Sequence, residues 1–285
     1  MSTNNSTSSS VKHQKKPSTS PNNINKLALN AHFLWFVGHF LTFGCTALHS
    51  IVSIFRPFSP TAQKYYSLTI YSVILSYSIV LFKTYSLNTL AKTLFSNPFA
   101  ILKNSNALYL FLSGLFLANH GIIFEKIQLS LYSFAIYSLF HSINYLNQSI
   151  LSSTANKPYQ TLKSKLSQFS KQYYEPSLYM AANCELFVMI HLIFTDLKNL
   201  LMIFQTNPLT NIRILCITIL YLVFLKLRYD DSHHMKAVVQ SYDLRINQFL
   251  YSNQRIPQAV TNIWFKFRTL IGAYVAPIRI EARHR

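Results

Sequence analysis

AHFLWFVGHFLTFGCTALHSIVSIF, residues 31–55, runs for 25 positions without Asp, Glu, Lys or Arg. Wound as an α-helix at about 1.5 Å per residue it is roughly 37 Å long, more than the ~30 Å hydrocarbon core of a bilayer. This stretch sets the fold class, because a run so long and so free of charge is a membrane-spanning helix. Behind it Pro57 and Pro60 break the helix, and Tyr65 to Phe82 supplies a second apolar run of 18 residues ending at Lys83. That is about 27 Å of helix, near the thickness of an endoplasmic-reticulum bilayer.

The same reading extends to the rest of the chain. A loop with Lys92, Asn97, Pro98 and Lys103 leads to the apolar run Ala107 to Phe124, and only Glu125-Lys126 separate that run from Ile127 to Leu151, the pattern of a tight helical hairpin. Lys157 to Glu175 is a polar connector with four lysines, after which Pro176 suits the first position of a new helix reaching Thr195. Asn207-Pro208, a cap followed by proline, opens a sixth segment whose charge-free part, Ile214 to Leu225, is only 12 residues long. The expected fold is therefore all-α, a polytopic helical membrane protein of short transmembrane hairpins with four to six spans and C-terminal amphipathic surface helices. Residues 1–28, made of Ser, Thr, Asn, Pro and Lys with few apolar side chains, are expected to form a disordered tail and lack the pattern of a secretory signal. Residues 29–228 then form the membrane domain and residues 229–285 a basic amphipathic tail.

Composition agrees. Half of the 285 residues are hydrophobic and only 12% are charged, against roughly 25% in an ordinary soluble domain. The formal charge is +18, and the first acidic side chain is Glu125. So basic a chain calls for an anionic partner, and the apolar content points to anionic lipid rather than nucleic acid. With six spans and both ends cytosolic, Lys and Arg collect in the N-terminal tail, the second and fourth loops and the C-terminal tail, as the positive-inside rule requires. A four-span arrangement, with segments five and six as re-entrant or interfacial hairpins, leaves both ends on the same side. Cys45, Cys184 and Cys216 all lie within apolar runs and read as buried packing residues. Five glycines leave no room for phosphate-binding glycine loops.

The tail holds two stretches of helical periodicity. In the first, Val239, Tyr242, Ile246, Phe249 and Leu250 recur at spacings of three or four. In the second, Val260, Ile263, Trp264, Phe267, Ile271 and Tyr274 form a stripe flanked by Lys266 and Arg268, with Arg279, Arg283 and Arg285 beyond. Apolar and aromatic residues opposite basic ones are the composition of a helix lying among lipid headgroups. Tyr242, Ile246, Phe249, Trp264, Phe267, Ile271, Lys266 and Arg268 are the candidate membrane-surface residues. Packing of these helices on the membrane domain or on a partner protein is the alternative.

Glu185 is the one acid deep inside an apolar run, and with Asn183 it forms a candidate intramembrane polar site, either a helix-helix hydrogen-bonding point or the centre of a small transporter or channel. His32 and His39, seven residues apart, and His233-His234 beside Asp230-Asp231 match no metal-ligand spacing, and no catalytic constellation is present, so no enzyme activity, metal or cofactor is expected. Asn147-Gln148-Ser149 is a glycosylation sequon at an expected cytosolic boundary.

Ala181-Ala182-Asn183-Cys184-Glu185-Leu186-Phe187, followed by a segment ending Phe224-Leu225-Lys226-Leu227-Arg228-Tyr229, resembles the matching region of the transmembrane protein 33 family, whose fungal members are pore-membrane proteins. The order of hairpins, basic connector, Glu-bearing helix, Leu-Arg-Tyr exit and amphipathic tail agrees over roughly residues 30–285. The resemblance implies residence in the endoplasmic reticulum and nuclear envelope, no catalytic activity, and a role in organising tubules and assembling nuclear pore complexes. It also implies nucleoporins and reticulon-type shaping proteins as partners. An import receptor is a further candidate partner for the basic tail.

Overall fold

The computed structural model describes residues 21–85, 87–96, 98–119, 128–151, 157–201, 207–253 and 255–275. Residues 1–20, the Glu125-Lys126 turn and Arg279, Arg283 and Arg285 lie outside them. Among the described residues the chain is helical without strands, in the order α1 (Pro21–Phe55), α2 (Pro60–Thr84), α3 (Leu87–Ser96), α4 (Pro98–Leu102), α5 (Ser105–Ala118), α6 (Tyr132–Tyr145), α7 (Lys157–Leu201), α8 (Pro208–Asp231), α9 (His233–Ser252) and α10 (Gln258–Leu270). A 3₁₀ turn, Gln128–Leu131, precedes α6, and π turns follow α6 and α10.

The breaks fall where local chemistry puts them. Between α1 and α2, Phe58 takes a left-handed φ of 65°, Ser59 accepts from the Ala62 amide at 3.2 Å, and Pro60 opens α2. Asn207 caps α8 through the Leu209 amide at 2.9 Å ahead of Pro208, and Asn104 and Ser232 cap α5 and α9.

α1 and α2 pack through small polar residues. Thr42, Thr46, Thr69, Ser72 and Ser76 are buried, and each hydroxyl donates to the carbonyl four residues earlier in its own helix, at 2.7 to 3.0 Å. Their hydrogen bonds are thus satisfied without water, which lets them sit in a helix interface within lipid. Gly38 faces Ser76 so closely that a Cβ at position 38 would overlap the serine oxygen. α6 lies antiparallel to α1: the His32 ring meets Tyr145, His39 Nδ1 meets Ser138 Oγ at 2.9 Å, and Ser50 Oγ donates to the Tyr132 hydroxyl at 3.1 Å. The common core joins Tyr66, Ile70 and Tyr77 of α2, Leu112 and Phe116 of α5, Phe134 of α6, Leu192 of α7, and Tyr221 and Phe224 of α8. Outward, Phe40, Leu48 and Ile51 of α1 and Ile212, Leu215 and Ile219 of α8 are exposed, as faces turned to lipid require.

Among the described residues four helices are long and apolar enough to cross a membrane: the 31–55 part of α1, α2, α7 and α8. The chain is thus a polytopic helical membrane protein, within the expected range of spans. The expected assignment of the short segments is reversed, however. Segments five and six, the pair read as re-entrant in the four-span arrangement, become the 45-residue α7 and the 24-residue α8. α5 and α6 have 14 residues each, about 21 Å of helix. α5 ends at Ala118, and the amide and side chain of its cap Asn119 both donate to the Leu115 carbonyl, at 3.2 and 3.0 Å. α8 is longer than its charge-free run because Arg213, Lys226 and Arg228 stay within it, each bound to a partner: Asn119, Asp230 and Glu185.

Other expectations are corrected too: α1 begins at Pro21, within the stretch read as a tail, and α3 and α4 occupy the expected loop. Pro176 does not begin a helix; α7 passes through it. The ring removes one backbone donor, but the residues around it are exposed and solvent can satisfy the freed carbonyl of Gln172. Phe169 and Tyr174 pack on Phe140 of α6, which holds the polar half of α7 helical across the proline. Of the cysteines, Cys45 is buried, Cys184 half-buried and Cys216 exposed. A thiol is apolar enough to face lipid, so an apolar run in a membrane chain does not imply burial.

Candidate functional site

Four helices meet at Glu185, which is 1% exposed. Its carboxylate accepts from the Tyr109 hydroxyl of α5 at 2.5 Å and from Arg228 Nε of α8 at 3.3 Å. Arg228 Nη2 donates to the Tyr137 hydroxyl of α6 at 3.0 Å, and its guanidinium lies 5.2 Å from the centre of the Tyr109 ring. Tyr221 of α8 donates to the backbone carbonyl of Glu185 at 2.9 Å. A lone charge here would be costly, but a paired one whose remaining valences are filled by tyrosines is tolerated and fixes the helices' register. Through Tyr109 and Arg228, Glu185 ties α5 and α8 to α7. No cluster of three His, Cys, Asp or Glu suited to a metal occurs among the described residues.

The sequence reading found Glu185 and missed Arg228, which it took for the end of an apolar run. The available signal was charge: a lone acid inside one segment asks for a base inside another. Asn183 belongs to a different face of α7. Its amide donates to the Tyr179 carbonyl at 2.7 Å, and its oxygen accepts from the Tyr242 hydroxyl of α9 at 2.9 Å.

That bond is part of a seam along which α9 packs on α7. Met235 and Val238 are buried against Ala182, the Tyr242 ring meets Phe187 at 6.2 Å, and His234 Nε2 lies 2.7 Å from the Glu175 carboxylate. α10 folds back antiparallel on α9. Trp264 Nε1 donates to Asn247 Oδ1 at 2.8 Å, and Arg268 grips both oxygens of Asp243 at 2.7 and 2.8 Å.

The candidate surface residues therefore divide. Tyr242 and Trp264 are half-buried and turned to protein neighbours, and Arg268 is exposed but ion-paired. Ile246, Phe249, Phe267 and Ile271 are exposed, as is Lys266. Ile263 and Leu270 join them, and on a helical projection Leu270 widens the α10 stripe beyond the sequence reading. The Tyr274 side chain lies outside the described residues.

Residues 16–277 match the model of the family described as Transmembrane protein 33/Nucleoporin POM33. The chain is 26% identical to Tetra-spanning protein 1 of Schizosaccharomyces pombe, over 87% of this chain and 85% of that one. It is 24% identical to Nucleoporin POM33 of Chaetomium thermophilum, over 89% and 88%. To the Pore and endoplasmic reticulum protein of 33 kDa of Saccharomyces cerevisiae it is 27% identical, over 84% and 88%. No solved structure matches the chain. None of these names carries a catalytic activity, in keeping with the non-enzymatic reading. With a bundle of apolar helices tied at Glu185 and a family model matched from end to end of that bundle, the chain belongs to the Transmembrane protein 33/Nucleoporin POM33 family.

Proposed function

We propose that this protein is a non-enzymatic membrane protein of the endoplasmic reticulum and nuclear envelope that helps assemble or organise nuclear pore complexes and shapes tubular membrane, using α9 and α10 as a wedge in the cytosolic leaflet. The observation that carries the reading is the docking of α9: Tyr242 touches Asn183 and Phe187, which lie in the apolar part of α7. α9 is thereby held at membrane level, and the apolar side chains of α9 and α10 that remain exposed, Phe249, Ile263 and Phe267 among them, are placed where acyl chains can take them up. Burial of that stripe is worth on the order of 5 kcal/mol at ~25 cal/mol per Å², and each Lys or Arg beside an anionic leaflet adds about 1 kcal/mol. Mass inserted on one side of a bilayer favours curvature, and the pore membrane, where two bilayers fuse, is strongly curved. Both termini face the cytosol in this reading, with nucleoporins, reticulon-type proteins and an import receptor at the basic tail as partners.

The test is imaging of the tagged full-length protein. Phe267→Glu with Ile271→Glu is expected to leave the protein in the endoplasmic reticulum but to reduce its enrichment at the nuclear rim at least several-fold. Unchanged enrichment would move the targeting role to the spans.

A further inference from the structure

Two cavities adjoin at the end of the bundle where α2 and α8 finish and α5 and α9 begin. One, of about 310 Å³, lies among α1, α2 and α6, and the other, of about 380 Å³, lies above the Glu185 tie; Asn106 and His141 line both. Each is of the size that holds a small ligand, about 300–1,000 Å³.

Ring nitrogens without a hydrogen bond among the described residues face this space. His39, 1% exposed, lines the first cavity and is bonded through Nδ1 to Ser138; its other ring nitrogen makes no hydrogen bond among the described residues. His141 has ring contacts to Trp35 at 5.3 Å and His39 at 4.6 Å and likewise no hydrogen bond among the described residues. A ring nitrogen unbonded at a cavity wall is available to a polar group that enters the cavity. The charge of the walls says what kind of group that is. Lys83 lines the first cavity, whose lining holds no carboxylate, whereas in the second Arg228 is already paired with Glu185 and Asp231 is negative, so the wall that favours an anion is that of the first cavity. The first turns of α5 and α9, with Asn106 and His233, turn the positive ends of two helices toward the second cavity. The first cavity also has an apolar wall of Trp35, Ile79 and Val80. Cations and imidazoles next to an aromatic and aliphatic wall suit an amphiphile, not a bare ion.

We propose that this paired cavity binds a phospholipid by an anionic headgroup, with the phosphate toward Lys83 and His141 and the glycerol and first methylenes along Trp35, Ile79 and Val80. The site is separate from the exposed stripe of α9 and α10 and does not depend on it.

The experiment is thermal unfolding of the purified full-length protein in neutral detergent, titrated with dioctanoyl phosphatidic acid, dioctanoyl phosphatidylcholine or glycerol 3-phosphate. Phosphatidic acid is expected to stabilise saturably, at concentrations at least ten-fold below those phosphatidylcholine requires, and glycerol 3-phosphate to have no effect. Lys83→Ala raises the half-saturating concentration about five-fold, the weight of one cation beside an anionic lipid. Asn106→Leu, which fills the wall common to both cavities, is expected to do at least as much with helix content unchanged. Phe267→Glu with Ile271→Glu leaves the titration unaltered, so failure here is distinct from failure of the curvature reading. Equal effects of the two lipids overturn the anionic headgroup, stabilisation by glycerol 3-phosphate overturns a lipid as the ligand, and titrations insensitive to both Lys83→Ala and Asn106→Leu overturn the site.

Discussion

Among the described residues an arginine-carboxylate pair occurs twice, in opposite surroundings. Glu185 and Arg228 have side chains 0% and 9% exposed, whereas Asp243 and Arg268 are 30% and 45% exposed. The exposed pair has the better geometry, 2.7 Å against 3.3 Å, yet breaking it costs less. Two exposed charges retain most of their hydration when separated, so joining them gains little. In the bundle neither charge has water to return to, and each needs the other. One pair sets a register that four helices share; the other closes a helix hairpin that can open cheaply.

The sharpest way to break the comparison is to remove one member of the buried pair. Glu185→Leu leaves Arg228 uncompensated and is expected to cost about 3–5 kcal/mol in equilibrium unfolding of the purified protein in detergent. Adding Arg228→Leu to it should recover much of that loss; a double variant no better than the single would mean the charges are not coupled. An intermediate effect is expected at the α7-α9 seam. Tyr242→Phe removes one hydrogen bond to Asn183 and should cost about 1 kcal/mol, read as faster amide exchange of α9 with α7 unaffected. The smallest effect belongs to the exposed pair: Asp243→Asn is expected to change stability by less than ~1 kcal/mol, and to become silent as salt rises. An effect there as large as that of Glu185→Leu would show the hairpin to be part of the bundle.

Much of this was readable from local pattern. Ala31 to Phe55, the break at Pro57 and Pro60, and the Asn207-Pro208 start depend on residues adjacent in the chain, and each falls where expected. The candidate site was half legible. Glu185 stands out because an acid in an apolar run is rare, but Tyr109 and Arg228 are 76 and 43 residues away and look ordinary in their own segments. The tail illustrates the same limit. Its periodicity marks an apolar face without saying whether lipid or protein covers it, and the fold assigns Tyr242 and Trp264 to protein and leaves Phe249 and Phe267 exposed.

Sequence by itself determined that this chain is helical, that it lives in a membrane and where α2 and α8 begin, because hydrophobicity, proline and capping residues act over a few positions. Only the tertiary structure decided which apolar segments are long helices and which are short, since a helix carries its charges past the end of an apolar run when a partner waits on another helix. It also decided that Glu185 is a tie and that α9 rests on α7. Such pairings depend on which side chains meet, and in lipid, where no water competes for buried polar groups, the meeting itself sets their role.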